Sequence, residues 1–484
     1  MNEGVQLLCY ADRLGGDISG LRRLLSERLK GFSGVHLLPF FVPFDGDDAG
    51  FDPIDHGSVD PRLGSWPDVQ ELAGEVALTA DLIVNHVSAQ SAEFQDWLAK
   101  GEASEYAGMF LRYRDVFPDG GSEAEIAAFY RPRPGLPFTD YQGGDGSRLL
   151  LWTTFMPSQI DLNVRHPAGE AYLDRILRTL LAAGVSTVRI DAVGYAIKTP
   201  GTDSFMTEQT LEYVRELVQR CHDLGLKVLV EVHAHFTQQL AIAPLVDYVY
   251  DFATPALLFH CLRTGSVDRL LAWDAIRPRN TITVLDTHDG IGIIDAGPLG
   301  GKAGLLTQDE MAAIFAWIDQ ATAGVSGQAS VVPTWFTLPH QANTTFFDAL
   351  GRDADAYLLT RAVQFFLPGI PQVYYVGLLA GGNDLELWQA TGQGREVNRH
   401  HYSLAEIDQA LATPIVQAIF GLIALRQHPA FSGDYHCTKL TDSSAKFAWT
   451  HQNTSLTLTL DMSSQAILIE SLTADVQTSY RNVA

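Results

Sequence analysis

Three carboxylates each follow a short apolar run: Asp191 closes Val185-Ser-Thr-Val-Arg-Ile-Asp191, Glu231 closes Val228-Leu-Val-Glu231, and Asp289 lies in Asp286-Thr-His-Asp-Gly290 after Ile282-Thr-Val-Leu. Such a set can divide the work of glycosidic chemistry. One carboxylate attacks the anomeric carbon, a second protonates the leaving oxygen, and further negative charge favours the oxocarbenium-like centre between them. Taken singly, Asp191 could as well cap the next helix, and Asp286 and Asp289 could shape a turn. Their joint occurrence at successive strand ends is far harder to reach by chance. Arg189 stands two residues before Asp191, on the same face of a strand, where it would keep a nucleophile ionised and oriented. His86, after Asn85, and His288 are of a type that donates hydrogen bonds to sugar hydroxyls.

The apolar runs that carry these residues read as buried parallel strands. Further runs begin at Val5, Val35 and Leu82, the last closing at His86. Between some of them, residues 169–183 and 207–224 repeat apolar positions at three- and four-residue spacing, as amphipathic helices do. This strand–helix rhythm predicts an α/β fold, a (β/α)8 TIM barrel whose site is built at the C-terminal ends of its strands, with a doubly wound sheet as the fallback. The expected division is barrel at residues 1–86, 168–290 and 353–430, loop-rich insertions at 87–167 and 291–352, and a small C-terminal β-domain at 431–484, where Ser455-Leu-Thr-Leu-Thr-Leu460 alternates.

Composition narrows the function classes. Apolar residues make up 46% and charged residues 19%, which permits a large packed core. The formal charge of -24 repels nucleic acid and anionic membranes, so neither is expected as a partner. Cys9, Cys221, Cys261 and Cys437 are widely spaced, suggesting neither a zinc site nor a disulfide framework. The N-terminal stretch has no basic region before its short apolar run, so a cytoplasmic location is expected. Residues 365–380 are apolar, but Pro368, Pro371 and Gln372 interrupt them; they read as a buried strand with its approach rather than a membrane span of about 20 residues.

Four segments in order, Asp81-Leu-Ile-Val-Asn-His86, Val188-Arg-Ile-Asp191, Val230-Glu-Val-His233 and Leu285-Asp-Thr-His-Asp289, resemble the signature regions of the α-amylase superfamily. The chain also resembles, nearly end to end, the sucrose phosphorylase group within it. Tyr10-Ala-Asp-Arg-Leu14, Gly50-Phe-Asp-Pro-Ile-Asp-His56, Tyr130-Arg-Pro-Arg-Pro-Gly-Leu-Pro137 and Ala362-Val-Gln-Phe-Phe-Leu-Pro-Gly369 are similar to that group's text. The resemblance implies a retaining mechanism with Asp191 as nucleophile, Glu231 as acid and then base, and Asp289 as transition-state stabiliser. It implies donor-glucose contacts from Asp48, His86, Arg189, His288 and Arg399, apolar walls from Phe51 and Phe155, and an acceptor and phosphate site including Arg133, Tyr195 and His233. Sucrose or sucrose 6'-phosphate and inorganic phosphate are the implied substrates, with a monomer or homodimer as the assembly. No cofactor is expected. Asn85 stands where many amylases hold calcium, yet the resemblance implies no need for a metal.

One loop departs from the group. Where a Leu-Asp-Leu-Tyr-Gln run is usual, the chain has Thr337-Leu-Pro-His-Gln341, so Leu338 replaces an aspartate and His340 a tyrosine, while Gln341 is kept. Losing a carboxylate and gaining a histidine would favour a second phosphate, as on sucrose 6'-phosphate. A hydrolase, a glucosylglycerol-type phosphorylase and a catalytically inactive sugar-binding protein on the same barrel are the competing readings.

Overall fold

The computed structural model describes residues 4–46, 48–130, 135–332, 337–473 and 476–481. Eight strands, β1 (Val5–Cys9), β2 (Phe32–Leu37), β3 (Ala77–Ile83), β4 (Thr187–Asp191), β5 (Lys227–Val230), β6 (Tyr248–Asp251), β7 (Thr281–Thr283) and β8 (Ile370–Tyr374), close into a barrel. All the pairings are parallel and β8 returns to β1. The (β/α)8 barrel expected from the strand–helix rhythm is the observed fold.

Helices cover the barrel as the periodicity requires. Pro167–Ala182 opens with proline, whose missing N–H has no partner to lose at a helix start, and buries Leu173, Ile176, Leu177 and Leu180. Glu208–Asp223 is capped by the Thr207 hydroxyl, which accepts from the Thr210 N–H, and it buries Val214, Leu217 and Val218. Emptying one such position, as in Leu177→Ala, costs about 2–5 kcal/mol. The apolar segment from residue 365 holds a helix end, β8 and a four-residue helix, all inside the fold. Among the described residues, no single helix is long and apolar enough to cross a membrane.

Two long excursions leave the barrel. After β3, which stops at Ile83 rather than at His86, the chain turns, and His86–Ser88 pairs antiparallel with Gln159–Asp161. A hairpin, Phe138–Gln142 with Arg148–Trp152, packs Trp152 against Leu111 and Phe117 in a small core of its own. After β7, Ile291–Gly292 pairs with Gln341–Ala342, and the chain between them carries helix Gln308–Ala321, so this insertion is more helical than its sequence suggests.

The chain ends in an antiparallel sheet, β9 (Asp434–Lys439), β10 (Ser444–His451), β11 (Thr454–Asp461), β12 (Ala466–Thr473) and β13 (Val476–Arg481). Its alternation points Ala445, Phe447, Trp449, Leu456, Leu458 and Leu460 inward. The Trp449 indole donates to the Phe366 carbonyl at 2.7 Å, tying the sheet to the barrel helix Ala354–Phe366.

Candidate active site

Arg189 lies at the centre of the strand-end rim. It sits on β4 with Asp191, and β4 pairs with β3 so that Arg189 is level with Asp81. One guanidinium nitrogen is 2.7 Å from both Asp81 Oδ1 and Asp191 Oδ1, and the other is 3.1 Å from Glu231 Oε2. Burial opposes the charge on Arg189, but these three carboxylates hold it protonated. Burial pushes the Asp191 carboxyl up, Arg189 opposes the rise, and Glu231 and Asp81 add to it. Asp81 in turn contacts His36 Nε2 at 3.1 Å, so the ion cluster is rooted in the barrel interior.

Asp289 faces this pair from beyond β7. Burial alone would raise its carboxyl, yet Arg395, His288, His233 and Arg399 hold it well below the usual carboxylate range. Arg395 Nη1 is the near contact at 2.7 Å, while His288 and Arg399 stand at 3.7 and 3.9 Å. His288 stacks on Phe51, with ring centres 5.0 Å apart, and burial drives its imidazole well below its ordinary range. His86 donates through Nε2 to the Phe51 carbonyl at 2.9 Å and packs against Phe155, and burial also lowers its titration. Neutral imidazoles remain hydrogen-bond partners for hydroxyls without competing for the carboxylates. Asp48 lies close enough for its charge to act on both Asp191 and His86.

On the outer side, His233 stacks on Phe252 at 3.7 Å, with Nε2 3.6 Å from Glu231 and 3.3 Å from the Gln341 amide. Pairing of Gln341 with Gly292 brings the distant loop to this point, and Arg395 donates to Gln341 Oε1 at 3.2 Å. His340 stands 3.5 Å from the Tyr130 hydroxyl, and Tyr130 stacks on Tyr195, which leans on Phe155. Arg133 lies outside the described residues.

Contacts therefore join the candidate carboxylates, histidines and aromatic residues described here into one cluster at the C-terminal ends of the barrel strands, with the carboxylates and arginines at its centre and the rings of Phe51, Phe155, Tyr195 and Phe252 around them. Residues 11–213 match the α-amylase catalytic-domain family. The sucrose phosphorylase of Agrobacterium vitis is 50% identical over 453 residues, which cover 93% of each chain. That of Bifidobacterium adolescentis is 47% identical over 467 residues, covering 95% of this chain and 92% of the relative. The chain belongs to the sucrose phosphorylase group of the α-amylase family. The crystal structure of sucrose 6F-phosphate phosphorylase from Thermoanaerobacter thermosaccharolyticum superposes with a TM-score of 0.93 at 34% identity, covering 99% of both chains. Membership makes the chain an enzyme of the glycosyltransferase type.

Of the two arginines near Asp289, the sequence singles out only Arg399. Arg399 is almost wholly buried; it is tied to Glu396 at 3.0 Å and to the His288 carbonyl at 2.9 Å. Arg395, four residues earlier on the 3-10 turn Gly394–Asn398, makes the direct contact with Asp289. Tyr130, Phe252 and Asp295 join the site through contacts with His340 and His233 that the sequence does not reveal. At the position suspected of metal binding, the buried Lys198 ammonium lies 2.8 Å from Asp161 and 3.3 Å from Asn85 Oδ1, so an internal cation already faces these oxygens. Glu231, His233 and Asp289 bring one ligand-type atom each within 4.8 Å of one another. Arg189 and Arg395 already pair with the two carboxylates, so this convergence reads as charge pairing rather than a metal centre.

Proposed function

We propose that this enzyme is a retaining α-glucosyl phosphorylase converting sucrose and inorganic phosphate into α-D-glucose 1-phosphate and D-fructose. The Asp191 carboxylate forms a bond to the anomeric carbon as the bond to the fructosyl oxygen breaks, and Glu231 gives that oxygen its proton. A hydrogen phosphate oxygen then attacks the same carbon, the ester to Asp191 breaks, and the phosphate proton passes to Glu231. Asp289, ionised under Arg395, favours the positive centre in both steps. Two inversions return the α configuration. His86, His288 and Asp48 contact the glucose hydroxyls, Phe51 and Phe155 cover its C–H faces, and His233, Gln341, Tyr195 and Arg133 serve fructose and then phosphate. The protein acts in the cytoplasm, in keeping with its unpaired Cys9, Cys221, Cys261 and Cys437.

The observation that carries this reading is Arg189 spanning Asp191 and Glu231 opposite Asp289, in a chain half identical to a sucrose phosphorylase along nearly all its length. The test is product formation from sucrose with and without phosphate. Phosphate-dependent α-glucose 1-phosphate supports it, and free glucose formed equally fast without phosphate sinks it.

His340 favours a second reading, in which the donor is sucrose 6'-phosphate and the product fructose 6-phosphate. A histidine there suits an incoming phosphate, although burial lowers its titration to about 4 and leaves it uncharged while the site is free. Plain sucrose therefore ranks first, and near-zero turnover of sucrose 6'-phosphate disposes of the second reading.

A further inference from the structure

Asp295 has no part in the scheme above, yet it lies under the acceptor side of the site. It sits on the 3-10 turn Ile294–Ala296, directly after the Ile291–Gly292 strand, and is fully shielded from water. Neither of its oxygens receives a hydrogen bond among the described residues. A carboxylate taken out of water without N–H or O–H donors is strongly disfavoured unless an opposite charge stands against it. The one ion-pair contact of Asp295 among the described residues is His233 Nδ1, at 3.5 Å. Gly292 keeps the approach open, since a Cβ there would lie 2.3 Å from Asp295 Oδ2 and 3.5 Å from His233 Nδ1. The ring is fixed flat on Phe252, so its other nitrogen, Nε2, is aimed at Glu231 and Asp289, and the Gln341 amide nitrogen 3.3 Å from it, a donor, has to give way when Nε2 carries a proton.

We propose that Asp295 is a positioning residue that holds His233 as an imidazolium with its Nε2–H turned toward the acceptor anion, so that phosphate is preferred over water as the group that takes the glucosyl unit. This rests on the phosphorylase reading. The groups facing the ring are the carboxylates of Asp295, Glu231 and Asp289, the uncharged His340, 6.3 Å away between ring centres, and the Arg395 guanidinium beyond Gln341. Burial opposes charge on His233, but Asp295, followed by Glu231 and Asp289, raises its titration above the ordinary histidine range. A charged N–H donor matches a dianion far better than it matches water, whose oxygen gains little from a cation.

The experiment follows the His233 ring by nitrogen NMR through a pH titration, in the parent chain and in Asp295→Asn, and measures phosphorolysis and glucose release side by side. The expected result is a fall in the ring titration of about one unit or more in the variant. With it, the KM for phosphate rises about tenfold, the ratio of phosphorolysis to hydrolysis falls by a similar factor, and the alkaline limb of phosphorolysis moves to lower pH. In a His233→Gln background, Asp295→Asn then adds nothing to the phosphate KM, because the two residues act as a unit. An unchanged ring titration, or an unchanged phosphate KM beside a shifted ring, overturns the proposal. If the parent forms no phosphate-dependent product, the phosphorylase reading fails by itself, and the ring titration still decides whether Asp295 holds the charge.

Discussion

Arg395 Nη1 lies 2.7 Å from Asp289 Oδ1 with a third of its side chain still exposed, whereas Arg399 stands 3.9 Å away, sealed against Glu396. The two arginines of one short motif are thereby assigned different work. Arg395→Ala is expected to lower kcat/KM about 10²-fold or more with little change in Tm, since it removes charge control at the reacting centre. Arg399→Ala strips a buried pair and is expected to cost about 3–5 kcal/mol of stability. Steady-state kinetics beside thermal unfolding of both variants separates the two effects, and the same pattern in both would refute the division.

Under the proposed mechanism, Asp191 and Glu231 differ in their dependence on the leaving group. Glu231→Gln should lose about 10²–10⁴-fold on sucrose, whose fructosyl oxygen requires a proton, and far less on α-glucosyl fluoride, which leaves without one. Asp191→Asn should fail on both. Equal losses for Glu231→Gln on the two donors would remove it from the acid role.

Lys198 makes a prediction about metals. Its ammonium faces Asp161 and Asn85 from inside the fold, and burial lowers its titration while Asp161 raises it. Prolonged treatment with a chelator should leave activity and Tm unchanged. Lys198→Ala should cost about 3 kcal/mol or more through the stranded Asp161 charge. Loss of activity on chelation, restored by calcium, would contradict this assignment.

His56 supplies a pH dependence. Its Nε2 donates to the Asp81 carbonyl at 3.3 Å, and burial pushes its titration down to about 4. The folded ring is therefore neutral where an unfolded histidine, near 6.5, takes up a proton. Its contribution is fully present above pH 6.5 and is lost as pH falls from there through 4, reaching about 3 kcal/mol. Denaturant unfolding between pH 7 and 4 should show a shallower decline for His56→Gln than for the parent, and parallel declines would count against this source.

The parts legible in the sequence are those whose signal is local. Asp191, Glu231 and Asp289 end apolar runs, and Arg189 shares a strand face with Asp191, so strand periodicity alone places them at one rim. β6 escaped notice because Tyr248-Val-Tyr-Asp251 is too short and too aromatic to show a strand period. Arg395 lies on the 3-10 turn Gly394–Asn398 and Arg399 just after it, and only the packing of Arg399 against Glu396 and His288 leaves Arg395 as the one in direct contact with Asp289. Asp295 and Lys198 acquire meaning from partners far along the chain, His233 and Asp161, which no spacing rule connects.

The pairing of Ile291–Gly292 with Gln341–Ala342 is two residues long on each side, whereas the carboxylates stand at the ends of strands locked into a closed barrel. The carboxylates are thus held by the barrel itself, while the segment bearing His340 and Gln341 is held by this short seam and by side-chain contacts such as those of Gln341 with Arg395 and His233. Substitutions in that one segment can therefore reshape the ground beside the carboxylates while the barrel strands that carry them keep their places.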